Sequence, residues 1–372
     1  MTARDLPPFR ADHVGSLLRP DRLLDARADF AAGRITATDL RAVEDEAIAG
    51  AVRMQQEAGL QSATDGEFRR ASWHMDFIYR LGGVTKAPGH LAVKFRNPAG
   101  TIEFTPAALH IDGKIRLDET IFGDDFGYLR SIAGDSIPKL TIPSPNMVHY
   151  RGGPASIDPG VYPDTEEFWS DLSAAYAEQV RRLAAAGCRY LQFDDTSLAY
   201  LNDPAQRSMI AERGEDAEHL HLRYIQQINA ALAARPAGLS VTTHMCRGNF
   251  QSSWAAEGGY DFVAEALFGE LNVDGFFLEY DDARSGGFEP LRFVPPGKMV
   301  VLGLVTTKRG ELESKDTLKR RIDEAARYVP LDQLCLSPQC GFSSTVEGNK
   351  LTAGEQAAKL RLIVETAAEV WG

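Results

Sequence analysis

Ala184-Ala185-Ala186-Gly187-Cys188-Arg189-Tyr190-Leu191-Gln192-Phe193-Asp194-Asp195 carries the end of one helix, a stop, a strand and a polar tip. The amphipathic pattern from Thr165 to Ala186 predicts a helix, and Gly187 stands where a helix C-terminus favours glycine. The apolar run 188–194 predicts a buried strand, with two carboxylates at its C-terminal end. Helix, glycine, strand and charged tip in that order describe one unit of a parallel α/β sheet.

The same rhythm extends in both directions. Strands are predicted over 12–16, 60–65, 139–143, 188–194, 239–244, 273–279, 299–306 and 333–337, and helices over 37–58, 165–186, 216–234, 254–271, 315–328 and 354–371. Eight strand-helix units predict an α/β fold of the (β/α)8 TIM-barrel type, with residues 1–372 as one domain. From Asp76 to Pro138 the rhythm breaks. Gly-Gly, Pro-Gly and Asp-Gly pairs, expected as turns, punctuate alternating segments such as 91–96, which predicts a β-hairpin-containing insertion after strand 2, at about 76–138.

A barrel places its chemistry at the C-terminal ends of its strands. Ser16, Asp65-Gly-Glu67, Pro143-Ser-Pro145, Asp194-Asp195, His244-Met-Cys246, Glu279, Thr306-Thr-Lys308 and Cys340 all fall at or just beyond such ends. Among them, His244, Cys246, Glu279 and Cys340 are of the types that bind zinc. His244 and Cys246 are two apart in an extended segment, so both side chains can face one ion. The competing reading makes Cys246 and Cys340 buried thiols, His244 a hydrogen-bonded polar residue, and Glu279 a partner of Arg247 or Arg284. Glu67 could likewise pair with Arg69 or Arg70, Ser16 cap a turn, and Asp194-Asp195 cap a helix.

The bulk numbers narrow the partners. With 40 Lys+Arg against 52 Asp+Glu, the formal charge of -12 disfavours nucleic acid and anionic lipid surfaces and leaves small molecules. No apolar run suits a secretory signal or a membrane span, so a cytoplasmic protein is expected, either a monomer or a modest homodimer. Four cysteines are too few for a disulfide framework. Cys188 and Cys335, inside apolar runs, are expected as core packing.

His-Val-Gly-Ser16, Thr-Asp-Gly-Glu67, Leu-Gln-Phe-Asp194-Asp, His244-Met-Cys246-Arg-Gly-Asn, Leu-Glu279-Tyr and Gln-Cys340-Gly occur in that order. Together they resemble the catalytic C-terminal half of the cobalamin-independent methionine synthase family. The resemblance implies a (β/α)8 barrel holding one Zn2+ through His244, Cys246, Glu279 and Cys340. It implies that Glu67 and Asp194 hold the amino group of homocysteine and that Ser16 contacts its carboxylate. The implied reaction is methylation of a zinc-activated homocysteine thiolate to methionine, and His149 is a candidate proton donor to the leaving group.

The 372 residues leave no room for the second barrel that helps the full-length family bind polyglutamylated folate. The donor therefore stays open between a methyl-folate, a methylcorrinoid and another small methylated compound. Two alternatives accompany this reading. One is a zinc-dependent alkyltransferase acting on another small thiol, similar to the epoxyalkane:coenzyme M transferases; the other is a non-catalytic zinc-binding protein.

Overall fold

Met299–Val305 contains no polar side chain, and every residue in it is buried. A strand of this kind needs cover on both faces, which a parallel sheet flanked by helices supplies. The structure, a computed structural model, describes residues 4–88, 93–97, 100–104 and 107–372. Residues 1–3 of the N-terminal stretch, and residues 91 and 92 of the alternating segment 91–96, lie outside the described residues.

In chain order the strands are β1 (Ser62–Ala63), β2 (Gly82–Ala87), β3 (Val93–Asn97), β4 (Gly100–Phe104), β5 (Ala108–Arg116), β6 (Ile137–Pro143), β7 (Tyr190–Asp195), β8 (Ser240–Met245), β9 (Gly275–Glu279), β10 (Met299–Val305) and β11 (Leu334–Pro338). Seven of them form one curled sheet in the order β1-β6-β7-β8-β9-β10-β11. All its pairings are parallel, so the C-terminal ends of the strands gather along one rim.

Segment 12–16 departs from expectation, because it is not a strand. Ala11 makes a single parallel bridge with Leu336, supported by Asp12 N donating to Leu336 O at 3.0 Å. The carboxylate of Asp12 then accepts the N–H groups of Phe9 and His13, and Gly15 turns the backbone at φ 147°. Side-chain acceptors of this kind compete with a ladder, and the pairing stops after one residue. On its other side Thr64 Oγ1 donates to Gly15 O at 2.6 Å. The segment therefore touches β11 and the residue that follows β1.

Helices Ala37–Glu57, Thr165–Ala185, Leu220–Leu232, Lys315–Ala325 and Ala353–Trp371 form where the 3.6-residue pattern predicts them. Thr36 with Asp39, and Thr352 with Glu355, close the first and last of these with capping boxes. The helix expected over 254–271 is confined to Ala264–Glu270. Its front half is occupied otherwise: Trp254 N donates to Arg96 O at 2.9 Å, and Arg247 Nη2 donates to Gly258 O at 2.8 Å.

Between β1 and β6, β2 pairs antiparallel with β5 and β3 with β4. Asp112-Gly113 is not the turn its composition suggests. It lies inside β5, where the pairing shifts register between Gly82 and Val84 and a Cβ on Gly83 would stand 2.4 Å from Gly113 O. The pair of glycines forms a bulge. Arg96 of β3 also bridges to Trp254, which ties this excursion to the loop after β8.

Candidate metal centre and its cavity

Beyond β8 the ladder continues for one more bond, Cys246 N donating to Asp195 O at 2.8 Å. The extended backbone thus carries His244 and Cys246 on one side of the strand. Glu279 closes β9 and pairs in register with Gly303 of β10. A Cβ on Gly303 would stand 2.7 Å from both Leu278 O and Gln339 Cα, so the glycine permits the chain around Glu279 and the loop after β11 to approach.

That loop is held from several directions. Gln339 Oε1 accepts Thr307 N at 2.7 Å, while Gly341 O accepts Asn249 Nδ2 at 3.0 Å and Thr307 Oγ1 at 3.1 Å. Cys340 is fixed between these two anchors. The ligand atoms of His244, Cys246, Glu279 and Cys340 come within 4.8 Å of one another.

The donor set fits a zinc ion. Cys246 Sγ and Cys340 Sγ are 3.5 Å apart and both thiols are free. Two zinc-bound sulfurs at ~2.3 Å in a tetrahedron would be roughly 3.8 Å apart. Neither buried imidazole nitrogen of His244 makes a hydrogen bond of good geometry, although the Cys340 sulfur lies close enough to act on the ring. Buried polar atoms are ordinarily satisfied, so a buried histidine facing two thiols and a carboxylate is a donor set that suits a cation.

The electrostatics describe crowded acceptors. The hydrogen bond with Cys340 raises the Cys246 thiol well above its usual range, and Cys340, beside Cys246 and His244, is held well below it. Burial opposes protonation of His244, but the Cys340 sulfur, Asp194 and Glu279 outweigh it and raise its pKa. Burial also raises Glu279. The competing ion-pair reading is realised in part: Glu279 Oε2 lies 3.5 Å from Arg284 Nη2, and Glu279 Oε1 accepts the backbone N–H of Arg247 at 3.0 Å.

A cavity of about 200 Å3 opens over the cluster and is lined by Ser16, Glu67, Asp194, His244, Cys246 and Cys340. Glu67 sits at φ 60°, a conformation rare for a residue with a side chain, and its carboxylate accepts from Thr141 Oγ1 at 2.6 Å. Arg70 Nη1 is 3.5 Å from the same oxygen. Burial and the neighbouring Glu67 push the Asp194 carboxyl up to about 7. Gln192 Nε2 donates to Asp194 Oδ1 at 2.7 Å. The adjacent Asp195 is structural, since it accepts Leu198 N and the hydroxyl of Ser197. Ser16 Oγ faces Gly341, where a Cβ would stand only 1.9 Å away.

His149 is not brought to this cavity. It is buried against Trp169, with Nδ1 3.0 Å from Tyr224 OH and Nε2 3.6 Å from Glu215 Oε1. Cys188 and Cys335 are fully buried, and burial pushes each thiol up to about 12. Sequence reasoning assigned no role to Asn249, whose Oδ1 is buried without a partner in the cavity wall, or to Trp73, which stacks on His74 at 4.3 Å. Asn249 stands three residues beyond Cys246, inside a quoted motif; Trp73 carries no such signal.

Fold and site together define an α/β protein with a buried sulfur-nitrogen-oxygen cluster at the C-terminal rim of a parallel sheet. The family model described as cobalamin-independent synthase, catalytic domain, matches residues 152–369. The chain is 50% identical over 370 residues to the uncharacterized protein YxjG of Bacillus subtilis, covering 99% of this chain and 96% of that one. A solved structure from Listeria monocytogenes, described as a candidate vitamin-B12-independent methionine synthase, superposes with a TM-score of 0.79 at 41% identity, covering 99% of this chain and 100% of that one. A B12-independent methionine synthase from Shewanella sp. W3-18-1, solved with selenomethionine, shares the fold with a TM-score of 0.72 at 20% identity, covering 97% of each chain. The chain belongs to the cobalamin-independent methionine synthase family, a family of methyltransferases.

Proposed function

We propose that this protein is a zinc-dependent methyltransferase that converts homocysteine to methionine. The observation that carries the reading is His244, with neither ring nitrogen in a hydrogen bond of good geometry, facing Cys246, Cys340 and Glu279 at the floor of a cavity that Glu67 and Asp194 also line. A zinc ion held by these four residues would lower the pKa of a thiol that joins it, so that the substrate sulfur is presented as a thiolate.

The chain's own residues do the rest. Glu67 and Asp194 are two buried carboxylates in one cavity wall, and burial beside Glu67 weakens the acidity of Asp194, a crowding that a further cation between them would relieve. The ammonium of an amino acid supplies that cation, with charge-assisted hydrogen bonds to both. Asn249 Oδ1 offers a third acceptor. Ser16 is assigned to the substrate carboxylate. Thr141, gripped by Arg70 through its carbonyl at 2.7 Å, keeps Glu67 aimed inward. The near-complete burial of Cys246 and Asp194 keeps bulk water from the reacting sulfur.

The reading takes the seven-stranded sheet together with segment 12–16 as a closed (β/α)8 barrel, one domain over 1–372 with an insertion at about 76–138. No helix among the described residues is long and apolar enough to cross a membrane. We place the protein in the cytoplasm.

The test is zinc content together with homocysteine binding. One zinc per chain and a homocysteine-dependent rise in melting temperature are expected. A metal-free preparation that does not take up zinc, or a response to mercaptoethanesulfonate and not to homocysteine, overturns the reading.

A further inference from the structure

β1 and β11 stand at the two ends of the sheet order, and among the described residues no ladder joins them. The loops that leave these two strands nevertheless carry Glu67 and Cys340, both in the cavity wall. Pairing within the sheet therefore leaves the separation of these side chains unset, although a substrate that meets both must match it.

Segment 16–19 crosses this seam. Leu17 N donates to Gly66 O at 3.1 Å on one side, and Phe342 N donates to Ser16 O at 3.0 Å on the other. Arg19 then grips both loops with one guanidinium. Its Nη2 donates to Glu67 O and to Arg70 O, each at 2.9 Å. Its Nη1 donates to Ser343 Oγ at 2.7 Å, to Thr345 O at 3.2 Å and to Ser343 O at 3.3 Å. Ser72 and Thr345 add a single antiparallel bridge between the same loops. Arg19 itself is buried outside the cavity lining. The donors of a guanidinium point in fixed directions within one plane, so a fork that holds both loops by their backbone carbonyls keeps them at one spacing. The bond to Glu67 O also holds that residue at its φ of 60°.

We propose that Arg19 is a positioning residue that sets substrate length: by fixing the span from Glu67 to Cys340 it selects homocysteine over cysteine, which is one methylene shorter. The proposal rests on the reading above, in which the substrate ammonium meets Glu67 and its sulfur meets the metal cluster. With both ends anchored, the shorter thiol reaches both sites only if the two loops approach each other, and the guanidinium between them opposes that movement. One methylene is worth about tenfold to two-hundredfold in a well-formed site. Lysine in place of Arg19 keeps a positive charge near Glu67, but a single ammonium on a flexible stem does not clamp two loops in one geometry.

The deciding experiment measures, by calorimetry, the Kd of homocysteine and of cysteine for zinc-loaded wild type, Arg19→Lys and Ser343→Ala, with zinc content read before and after each titration. Wild type should prefer homocysteine by at least about tenfold. In Arg19→Lys that preference should fall at least about fivefold while zinc stays at one per chain. Ser343→Ala removes one contact on the β11 side and should move the preference in the same direction by about threefold. A merely structural role weakens both ligands together and leaves their ratio alone. An unchanged ratio in the variants, or no preference in wild type, overturns the proposal. Loss of zinc from both variants also overturns it, since the grip would then serve the metal loop and not the spacing. If Arg19→Lys does not fold, Ser343→Ala decides. If wild type holds zinc but binds no homocysteine, the earlier reading falls and this proposal with it.

Discussion

Cys246 Sγ and Cys340 Sγ lie 3.5 Å apart although 94 positions separate them in the chain. They meet because β8 and β11 deliver their C-terminal ends to the same rim, and because Gly303 lets the intervening chain pass without a side chain.

Removal of either sulfur should abolish metal retention. Cys246→Ser and Cys340→Ser are each expected to fall from about one zinc per chain to near zero after dialysis, with far-UV circular dichroism unchanged. Elemental analysis decides it. Zinc held equally by wild type and both variants would end the assignment of these ligands.

Asp194→Asn keeps the shape of the side chain and removes its charge. Loss of a charge-assisted contact to the substrate ammonium should weaken homocysteine binding by about 1.5–3 kcal/mol, roughly tenfold to a hundredfold. The homocysteine-induced rise in melting temperature should shrink accordingly, since a ligand stabilises only through its affinity for the folded state. An undiminished rise would remove Asp194 from the site.

Two buried histidines make stability depend on pH. Burial, aided by Lys139, lowers the pKa of His13 to about 4, and burial with Arg213 lowers that of His149 to about 3. Above the unfolded value of about 6.5 both states hold a neutral imidazole and nothing is lost. Below it the unfolded chain takes up protons that the folded protein refuses, so stability falls progressively toward pH 4 and below. Each histidine should remove roughly 2 kcal/mol between pH 7 and 5. Denaturant unfolding of His149→Gln should show a shallower pH dependence by that amount; an identical slope would mean that the site is more hydrated than its burial indicates.

Lys139 and Asp12 form an ion pair at 3.4 Å with both side chains fully buried. Lys139→Met leaves the buried carboxylate its hydrogen bonds but no counter-charge, and should cost about 3–5 kcal/mol. Asp12→Asn in the same chain should recover part of that loss, because the two sites share one interaction. Strictly additive losses in urea titrations would show that the charges do not act on each other.

Much of the cluster was legible in the chain because residues of metal-binding type are chemically conspicuous: His244 and Cys246 share a strand end, and Glu279 and Cys340 close later apolar runs. The partition of Asp194 from Asp195 came from the family resemblance and could not be read from the residues themselves. Adjacent carboxylates look alike until backbone N–H groups and hydroxyls claim one of them, as Leu198 and Ser197 do with Asp195. His149 looked available for chemistry because a histidine beyond a strand end carries no mark of the tyrosine and tryptophan that enclose it. Asn249 and Trp73 are seen to line the cavity only once their neighbours are in place.

What the sequence by itself determined about this protein is local: buried parallel strands from unbroken apolar runs, helices from 3.6-residue spacing and capping residues, and the donor types available at strand ends. These follow from side-chain volume, backbone preference and coordination chemistry, which act over a few residues. Tertiary structure alone decided that segment 12–16 would give up its ladder to the Asp12 carboxylate, that Asp112-Gly113 would bulge instead of turn, and that four distant donors would fall within 4.8 Å. Those outcomes depend on competition between contacts far apart in the chain, and such competition is resolved only when the sheet has curled and its rim has come together.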